Sequence, residues 1–511
     1  MVALLEPSTR TLSPQQQAVV DFVGRDRRSA FVEAVAGAGK TTTLIEALSA
    51  TRGSVAFMAY NKKIADEIKT RTSEMRFGNR VKIGTFHSFG LGAWRYVHKN
   101  VKCGPDAALK KAELTVAHLA IPKTIESFTA RLVSLAKQRA LGLFGSIDDD
   151  SQWYEIVEHF DLAFDLEDPE LVAVGVEKAI ESLKFHREVA DRIIDFDDMI
   201  YMPVTTGIRM WQNDVIFVDE AQDTNPARRA LVRRMLNPRG GRAVFVGDRR
   251  QAIYGFTGAD NDSVDQIVKD FGCVQLPMTT TYRCPKAVVR KAQEVVAHIE
   301  AHHTAPEGSV ARMDFNDFVS QHLKGEFPLS PTDAILCRKT RPLVALAFQL
   351  IRAGTPCHVE GRDIGAGLVA LVDRFKNARS VDALIRRLCA HTERACNKLE
   401  AKGKNVQAES LKDRAATVEC IAAGCASVAD IVPKINSLFN DSDNEPRPTT
   451  TLSTVHKSKG REWPRVFILG ENQWMPGPWA KQQWEIDQEY NLMYVAYTRS
   501  QQDLVLLDVE K

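Results

Sequence analysis

The sequence has little net charge, no long apolar run and no closely paired cysteines. Its 511 residues carry a net charge of only +2, and 44% are hydrophobic and 26% charged, which is ordinary for a folded globular protein. A strongly basic total would have indicated nucleic-acid binding. The balance excludes a highly charged coating protein but leaves room for a local basic channel. A chain of this length is predicted to form about three or four domains.

Signals for membrane insertion or export are also missing. No stretch approaches the roughly 18 consecutive apolar residues of a membrane helix. The first ten residues include Glu6 and Pro7 where a signal peptide would have an apolar core. The nine cysteines are scattered, as expected for reduced thiols. We therefore expect a cytoplasmic protein of a bacterium, or of a phage in its host, with no membrane partner.

Four of the cysteines lie in one helix-rich stretch. They are Cys389, Cys396, Cys420 and Cys425, and His391 is nearby. There is no C-x-x-C pair, and these spacings within helices do not form the usual tight knuckle of metal ligands. We interpret the four as small hydrophobic side chains, with a zinc or iron–sulfur site as the weaker alternative.

Short apolar runs, each bounded by Gly, Asp or Asn, recur along the chain between helical stretches. Continuous apolar runs are typical of strands buried on both faces of a parallel sheet, and their alternation with helices predicts an α/β fold. The runs lie at 30–35, 54–59, 214–218, 242–246, 333–337, 465–469 and 503–507.

Two blocks lack any strand signal and are predicted to be helical insertions, one in each of two α/β domains. The first α/β domain is expected at 1–90 and 193–274, with its insertion at 91–192. The second is expected at 275–364 and 449–511, with its insertion at 365–448. The polar, proline-containing segment 441–448 reads as a linker.

A glycine-containing loop follows the first apolar run. The strand leads into Ala36-Gly37-Ala38-Gly39-Lys40-Thr41-Thr42 and then a helix. Glycines let backbone N–H groups approach phosphate oxygens, and a helix N-terminus favours negative charge. Lys40 is predicted to reach the β- and γ-phosphates, and the Thr41 hydroxyl to bind Mg²⁺. By itself the loop indicates only that phosphate is bound.

Two carboxylates follow a second apolar run. The strand at 215–218 ends in Asp219-Glu220-Ala221-Gln222-Asp223, and nucleotides bind at the carboxyl edge of parallel strands. Asp219 is predicted to hold Mg²⁺, and Glu220 to orient or activate the attacking water. Together with the phosphate loop, this pair predicts an enzyme that hydrolyses ATP with Mg²⁺.

Further motifs occur in a fixed order: Leu12-Ser13-Pro14-Gln15-Gln16, Tyr60-Asn61-Lys62-Lys63, Gly84-Thr85-Phe86-His87-Ser88 and the segment 246–256. With the phosphate loop and the acidic pair, they resemble those of UvrD/Rep-type superfamily 1A DNA helicases. The resemblance implies that Gln16 reads adenine and that Gln251 senses the γ-phosphate. The residues that it implies in contact with single-stranded DNA are Tyr60, Asn61, Thr85, Phe86, His87, Tyr254 and Phe256.

The second half of the chain extends the resemblance through Thr281-Tyr282-Arg283 and the segments 454–462 and 494–499. It implies two RecA-like P-loop NTPase domains with parallel sheets, named 1A and 2A, whose helical insertions are 1B and 2B. The implied roles are adenine stacking for Tyr282, γ-phosphate contact for Arg283, ATP binding for Glu462, an arginine finger for Arg499, and DNA contact for Thr454 and His456.

Two departures from the family pattern stand out. Thr257 occupies the place of an arginine that usually follows the aromatic residues of the Gln251 motif, and the 2B insertion at 365–448 is clearly reduced. Other residues stay open: Arg338 contacts the phosphate backbone or simply lies at the surface. We interpret Trp474, Trp479 and Trp484 as packing residues, with a nucleic-acid patch as the alternative.

The motifs predict an ATP- and Mg²⁺-dependent translocase on single-stranded DNA that separates the strands of tailed duplexes. The resemblance implies 3′→5′ polarity, in repair, replication, recombination, or phage or defence processes. The alternative is a DNA-stimulated ATPase subunit that regulates a partner nuclease without processive unwinding; an RNA substrate is a third reading. A nuclease or a replication or repair factor is the expected protein partner.

Overall fold

The computed structural model describes residues 12–73, 75, 77–160, 162, 166, 169–253, 262–401, 404–439 and 449–510. They form two compact units. Unit 1 consists of the described residues of Met1–Arg249 and Tyr254–Thr279, and unit 2 of those of Arg250–Ile253 and Thr280–Lys511.

Unit 1 is built on a six-stranded sheet in which every pair of neighbours is parallel. The order is β3-β2-β4-β5-β1-β6. The three neighbours β2, β4 and β5 are buried along their whole length, which is why they read as continuous apolar runs. The strands are β1 (Ala30–Ala34), β2 (Val55–Ala59), β3 (Val81–Thr85), β4 (Val215–Val218), β5 (Arg242–Gly247) and β6 (Val274–Met278).

The helices of unit 1 begin at recognisable capping residues. The hydroxyl of Ser13 caps α1 in a reciprocal capping box with Gln16, and the side chains of Asn61 and Thr85 cap α3 and α4. Such caps satisfy N–H groups that have no partner within the helix. The helices are α1 (Pro14–Arg25), α2 (Lys40–Ser49), α3 (Lys62–Thr72), α4 (Phe86–Val97), α5 (Pro105–Leu119), α6 (Glu126–Gln138), α7 (Asp150–His159), α8 (Pro169–Glu188), α9 (Asp198–Thr205), α10 (Pro226–Met235) and α11 (Ser263–Phe271).

The described part of the first insertion consists of helices joined by turns and loops. Between residues 91 and 192, the described residues form the end of α4 and helices α5–α8 and contribute no strand to either sheet. These helices bury a core of their own around Trp153, Leu132 and Leu183. A separate core lies under the sheet and includes Phe31, Ile216 and Phe245.

Unit 2 contains a second six-stranded sheet, also parallel throughout. The order is β11-β12-β10-β13-β14-β9, and β7 pairs with β8 in a small separate sheet. The two large parallel sheets confirm the predicted α/β class and agree with two RecA-like domains. The strands are β7 (Thr280–Thr281), β8 (Glu300–Ala301), β9 (Ser309–Asp314), β10 (Asp333–Cys337), β11 (Cys357–Val359), β12 (Thr450–Thr454), β13 (Trp463–Leu469) and β14 (Ser500–Asp508).

The second insertion packs directly on this sheet. One continuous core joins Leu388 and Val418 of the insertion to Leu343 of α14 and to Ile335 and Phe467 of the strands. The helices of unit 2 are α12 (Lys286–Gln293), α13 (Phe315–Leu323), α14 (Thr340–Arg352), α15 (Arg362–Asp373), α16 (Val381–Ala401), α17 (Asn405–Ala422), α18 (Ile431–Leu438), α19 (Glu471–Trp474) and α20 (Gln483–Tyr497).

The boundary between the units differs slightly from the expected one. Because β6 pairs with β1, the first sheet includes residues up to 278, past the expected end of the first domain at 274. The short segment Arg250–Ile253, expected in the first domain, groups with unit 2. The expected linker at 441–448 lies outside the described residues.

The cysteines of the second insertion lie on helices and at a helix end. The thiol of Cys389 donates to the carboxylate of Glu419, and that of Cys396 to a backbone carbonyl. Hydrogen bonding to Glu419, with some burial, raises the pKa of Cys389 to about 11, so this thiol is protonated at neutral pH. No helix among the described residues combines the length and apolar character needed to cross a bilayer.

Candidate nucleotide site and nucleic-acid surface

The predicted phosphate loop lies between the end of β1 and the start of α2. Gly37 and Gly39 have φ angles of 73° and 78°, in the left-handed region that glycine adopts without strain. A Cβ at Gly39 would lie 2.8 Å from the amide nitrogen of Gln16, so the Gln16 side chain would have to shift. That amide donates to the carbonyl of Ala38 at 3.2 Å. The expected adenine reader is therefore already in contact with the loop.

Lys40 is the first residue of α2 and faces the acidic pair. Its Nζ lies 3.4 Å from Oε2 of Glu220. Burial favours the neutral amine, but the charges of Glu220, Asp248 and Asp219 outweigh it and raise the pKa of Lys40 above its usual value. The ammonium is therefore charged and stands among carboxylates. Such a group can bind an anionic ligand that shares the site.

Asp219 is almost fully buried at the end of β4. Burial raises the pKa of its carboxyl to about 7, the charge of Glu220 adds to the rise, and Lys40 opposes it. A buried carboxylate of this kind gains from a nearby cation. Oxygen ligands are those that Mg²⁺ prefers, so Asp219 and the Thr41 hydroxyl fit the expected metal by their chemistry.

Glu220 is held in an unusual conformation. Its φ of 49° and ψ of 45° are left-handed, which costs a residue with a side chain about 1–2 kcal/mol. Its Oε2 accepts a hydrogen bond from Gln222 Nε2 at 2.6 Å. The other end of that amide accepts from the backbone N–H of Asp248 at 3.2 Å. Gln222, to which we had assigned no role, thus orients Glu220.

In unit 2, Arg283 and Glu462 lie together. The two side chains form an ion pair, and a guanidinium nitrogen of Arg283 lies 3.5 Å from the carbonyl of Thr498. Tyr282 is 42% exposed, and its ring centroid is 4.9 Å from that of His302. Arg283 and Glu462, assigned to ATP from two separate motifs, are thus in contact within unit 2. Tyr282 is next to Arg283 in sequence.

The Arg499 side chain is nearly buried in unit 2. Its guanidinium donates to the carbonyl of Val495 at 2.8 Å, to that of Arg461 at 3.1 Å and to the hydroxyl of Thr498 at 3.2 Å. The expected arginine finger therefore also fastens the end of α20. Its role toward ATP stays a prediction.

Gln251 belongs to the segment that groups with unit 2. Lys459 donates to the carbonyl of Gln251 at 2.7 Å, and Asn491 and Gln488 donate to the next two carbonyls at 3.1 and 2.7 Å. These three side chains bind backbone groups of the segment. Tyr254, Phe256 and Thr257, which follow it, lie outside the described residues.

Two of the expected DNA contacts of unit 1, Tyr60 and His87, line a polar cavity of about 320 Å³. The guanidinium of Arg228 lies over the ring of Tyr60, 5.1 Å from its centroid. Burial, helped by Arg228, lowers the pKa of His87 to about 4, so the imidazole is neutral at pH 7. The lining residues are Tyr60, His87, Arg131, Lys137, Gln138, Asp197, Ile200, Asn225, Ala227 and Arg228.

The structure does not support the expected stacking of Phe86 on a base. Its side chain is 1% exposed and belongs to the core under the sheet, so no ring face is open to a base. Asn61 and Thr85 use their side-chain oxygens to cap helices. Their neighbours Tyr60 and His87 are the members of these two motifs that line the cavity.

Phe196 is a candidate that we had not identified. Its ring is 49% exposed and stands edge-on to that of His87, with centroids 6.5 Å apart. The run Asp195-Phe196-Asp197-Asp198 contained the signal, because three carboxylates around one aromatic residue do not suit a core strand. Phe196 can offer a base the ring face that Phe86 cannot.

Near the last motifs, Arg338 forms an ion pair with another side chain of unit 2. Its guanidinium binds the carboxylate of Glu489 with nitrogens at 2.7 and 3.1 Å and covers the ring of Trp479. Thr454 is buried at the end of β12. Burial, and then Arg338 and Lys457, hold the pKa of His456 well below its usual range. The imidazole of His456 is therefore neutral at pH 7.

Comparison with known proteins assigns the chain to a family. Residues 12–272 match the UvrD/REP helicase N-terminal domain, and residues 373–511 match the UvrD-like helicase C-terminal domain. The first match alone covers just over half of the 511 residues.

Individual relatives agree with this assignment. ATP-dependent DNA helicase Rep of Salmonella typhimurium is 26% identical over 56% of this chain and 43% of its own length, and Rep of Escherichia coli gives the same values. F-box DNA helicase protein 1 of Schizosaccharomyces pombe is 23% identical over 98% of this chain and 58% of its own length. The chain thus spans about half the length of these curated relatives. It belongs to the UvrD/Rep helicase family.

Proposed function

We propose that the chain is an ATP-driven translocase on single-stranded DNA and a DNA helicase with 3′→5′ polarity. One observation carries the proposal: Lys40 lies 3.4 Å from Glu220 and beside the buried Asp219, at the carboxyl ends of two parallel strands. This is the charge arrangement that binds a nucleotide phosphate and activates water. Membership of the UvrD/Rep helicase family is our reason for proposing DNA as the substrate.

In this proposal Lys40 binds the β- and γ-phosphates, whose charge replaces that of Glu220 as its partner. Glu220 is then free to take a proton from the attacking water. Mg²⁺, held by Asp219 and Thr41, would neutralise charge on the phosphate oxygens. Gln222 keeps the Glu220 carboxylate in place while it accepts the proton.

The remaining residues of the nucleotide site have binding or stabilising roles. Gln16 and Tyr282 bind adenine, and the N–H groups of the loop Ala36–Thr42 bind phosphate. Gln251 senses the γ-phosphate. Arg283, paired with Glu462, and Arg499 stabilise the negative charge that develops on the transferred phosphoryl group. Arginine suits this role because its planar fork of donors matches phosphate oxygens.

Single-stranded DNA would cross unit 1 at the cavity. Tyr60 and Phe196 offer aromatic faces, and stacking on a base contributes about 1–3 kcal/mol without strong sequence preference. Arg131 and Arg228 in the cavity wall suit the phosphates. In unit 2, Thr454 and His456 are the proposed contacts, and Tyr254 and Phe256 complete the set.

Strand displacement by the purified chain tests the proposal. The expected result is ATPase activity that single-stranded DNA stimulates, and displacement on a duplex with a 3′ tail but not on one with a 5′ tail. Lys40→Ala is the control and should abolish both activities. An ATPase indifferent to DNA would rule out the motor, and displacement only from 5′ tails would reverse the polarity.

A second candidate is a DNA-stimulated ATPase subunit that regulates a nuclease. The observation in its favour is the second insertion: α16 and α17 share one core with the sheet of unit 2, which ties these helices to that unit. If they are not free to engage a duplex, the chain would hydrolyse ATP on DNA without opening it. Displacement that appears only when a partner nuclease is added would favour this candidate.

A further inference from the structure

A buried ion cluster lies in unit 1 where three helices of the first insertion meet the turn before α9. Lys111 of α5 and Lys137 of α6 are both 98% or more buried, and both bind Asp195 and Asp198 of the turn. The Lys137 ammonium lies 2.6 Å from Asp195 and 2.7 Å from Asp198. Ammonium groups and carboxylates are thus equal in number.

Opposite charges offset the cost of burial for two groups of the cluster, Lys137 and Asp195. Burial would lower the pKa of Lys137, but Asp195 and Asp198 outweigh it and hold that pKa above its usual range. Burial would likewise raise the pKa of Asp195, and the two lysines hold it well below its usual value. Lys137 and Asp195 therefore stay ionised at neutral pH, whereas burial and the charge of Lys137 lower the pKa of Lys111. The contacts of the two lysines with the two aspartates make the cluster a set of buried ion pairs.

A metal site is the first alternative, because His186, Asp195 and Asp198 bring ligand atoms within 4.8 Å of one another. The two lysine ammonium groups already contact both carboxylates, and a further cation there would be repelled by them. The Nε2 atom of His186 lies 3.0 Å from the Thr115 hydroxyl. We conclude that the lysines, not a metal, neutralise the aspartates.

The cluster determines the shape of the turn. The backbone N–H of Asp195 donates to the carboxylate of Asp198 at 3.0 Å, and that of Asp198 donates back to Asp195 at 2.9 Å. Between them, Asp197 accepts from Ser134 at 2.6 Å and lines the cavity. Phe196 lies between these hydrogen-bonded residues, and its exposed ring is next to that of His87.

We infer that Lys111 and its aspartate partners are positioning residues for the DNA surface. Their buried ion pairs hold the turn 195–198 so that the Phe196 ring is presented for stacking on a base. The inference rests on the proposed DNA-binding function. It explains why so much charge is buried beside the turn, since a base-stacking ring needs a rigid support.

A double-mutant cycle tests the inference, with Lys111→Met and Phe196→Ala made singly and together. The measurements are the Kd for a fluorescent oligo(dT), the DNA-free ATPase rate and the KM for ATP. Each single change should raise the Kd about tenfold, the loss expected for one base stack. The double change should raise it by no more than about tenfold, because Lys111 acts through Phe196. In Lys111→Met, the DNA-free ATPase rate and the KM for ATP should equal those of the Lys110→Met control.

Lys110→Met is the matched control: Lys110 is the neighbouring residue, its side chain is 63% exposed, and its variant should bind DNA as wild type does. If Lys111→Met does not fold, as judged by circular dichroism, Asp195→Asn replaces it, because the Asp195 side chain is 23% exposed and accepts from both lysines.

Several outcomes overturn the inference. They are wild-type DNA affinity in Lys111→Met, wild-type affinity in Phe196→Ala, or a loss of about a hundredfold in the double variant, which would mean independent effects. A wild-type protein that DNA neither binds nor stimulates would overturn the proposed function as well. A stimulated wild type with an unaffected Lys111→Met variant would overturn the positioning role alone.

Discussion

Both ends of the Gln15 side-chain amide form hydrogen bonds with Thr279. Its Nε2 donates to the Thr279 hydroxyl at 2.9 Å, and its Oε1 accepts from the Thr279 backbone N–H at 2.9 Å. Gln15 precedes the expected adenine reader Gln16, and Thr279 is the last residue of unit 1, three before Tyr282. Helix α1 thus binds the chain just before Tyr282 and Arg283, which are predicted to contact ATP.

This relationship predicts that Gln15→Ala impairs ATP turnover. The variant leaves the Thr279 N–H and hydroxyl without their partner, which costs about 1–3 kcal/mol for a buried group and less here. The chain that leads to Tyr282 and Arg283 then loses its anchor at Thr279. We expect DNA-stimulated kcat/KM for ATP to fall about fivefold or more, while the preference for ATP over GTP, which we assign to Gln16, is retained.

Steady-state ATPase assays with both nucleotides make this measurement. Gln17→Ala is the matched control on the same helix, since the exposed Gln17 amide only binds Asp21. Equal kcat/KM in the two variants would show that the Gln15–Thr279 link has no part in turnover. A lost preference for ATP in Gln15→Ala would mean that the change had disturbed Gln16 instead.

Glu220→Gln should bind ATP without hydrolysing it. The amide keeps the size of the side chain but cannot accept a proton from water, and general-base catalysis contributes about 10²–10⁴-fold. Removing one negative charge beside Lys40 should leave ATP affinity equal to or above that of the wild type. Single-turnover hydrolysis and equilibrium binding of a fluorescent ATP analogue separate the two effects.

Glu46→Gln on α2 is the comparison for this variant, because Glu46 is a carboxylate outside the assigned site, and its hydrolysis rate should be normal. Hydrolysis by Glu220→Gln within a few-fold of the wild-type rate would show that another group activates the water. Loss of ATP binding would show instead that Glu220 shapes the loop around Lys40.

Two substitutions of Arg499 should separate its effect on catalysis from its effect on the stability of unit 2. Arg499→Lys keeps a positive charge but not the planar fork of donors, so kcat should fall by about 10²-fold or more while the fold is kept. Arg499→Ala should also lower the stability of unit 2, because the carbonyls of Val495 and Arg461 lose a donor. ATPase assays and thermal unfolding of both variants provide the measurements.

Comparing the activity and stability of the two Arg499 variants distinguishes a catalytic role from a structural one. If Arg499→Lys is nearly as active as the wild type and Arg499→Ala is only less stable, the residue merely fastens α20. A catalytic defect in both, with the stability loss confined to alanine, supports the arginine finger.

The central strands could be predicted because burial on both faces leaves an unbroken apolar run. That signal located β2, β4 and β5 to within about a residue. It failed for the edge strand β3, whose residues are mostly part-exposed, and for the short β11. Runs of mixed polarity at a sheet edge carry no pattern that separates them from loops.

Parts of the site could be predicted where a functional residue directly follows a strand that the sequence reveals. Lys40 and Glu220 could be paired because both follow buried parallel strands. Phe86 could not be placed, because a core aromatic and a base-stacking aromatic have the same sequence signature. Nor could the contact of Lys111 with Asp198, which are 87 residues apart and brought together only by the packing of α5 against the turn.

His87 predicts a measurable dependence of stability on pH. Its pKa in the folded chain is about 4, because burial and Arg228 disfavour the imidazolium, whereas the ordinary value is about 6.5. Between these values the unfolded chain binds the proton and the folded chain does not, so stability falls as the pH falls. His87→Gln removes this contribution and should gain about 2 kcal/mol relative to wild type between pH 7 and pH 5.

Urea titration read by hydrogen exchange of peptides from unit 1 measures that difference, since it assigns the unfolding free energy to the right unit. His118→Gln is the control, because it makes the same replacement at an exposed position of unit 1. The two profiles should differ by the contribution of His87, since other buried histidines such as His186 contribute to both. A His87→Gln profile parallel to wild type would mean that the imidazole accepts its proton in the folded state, and His87 would then meet DNA phosphates as a cation.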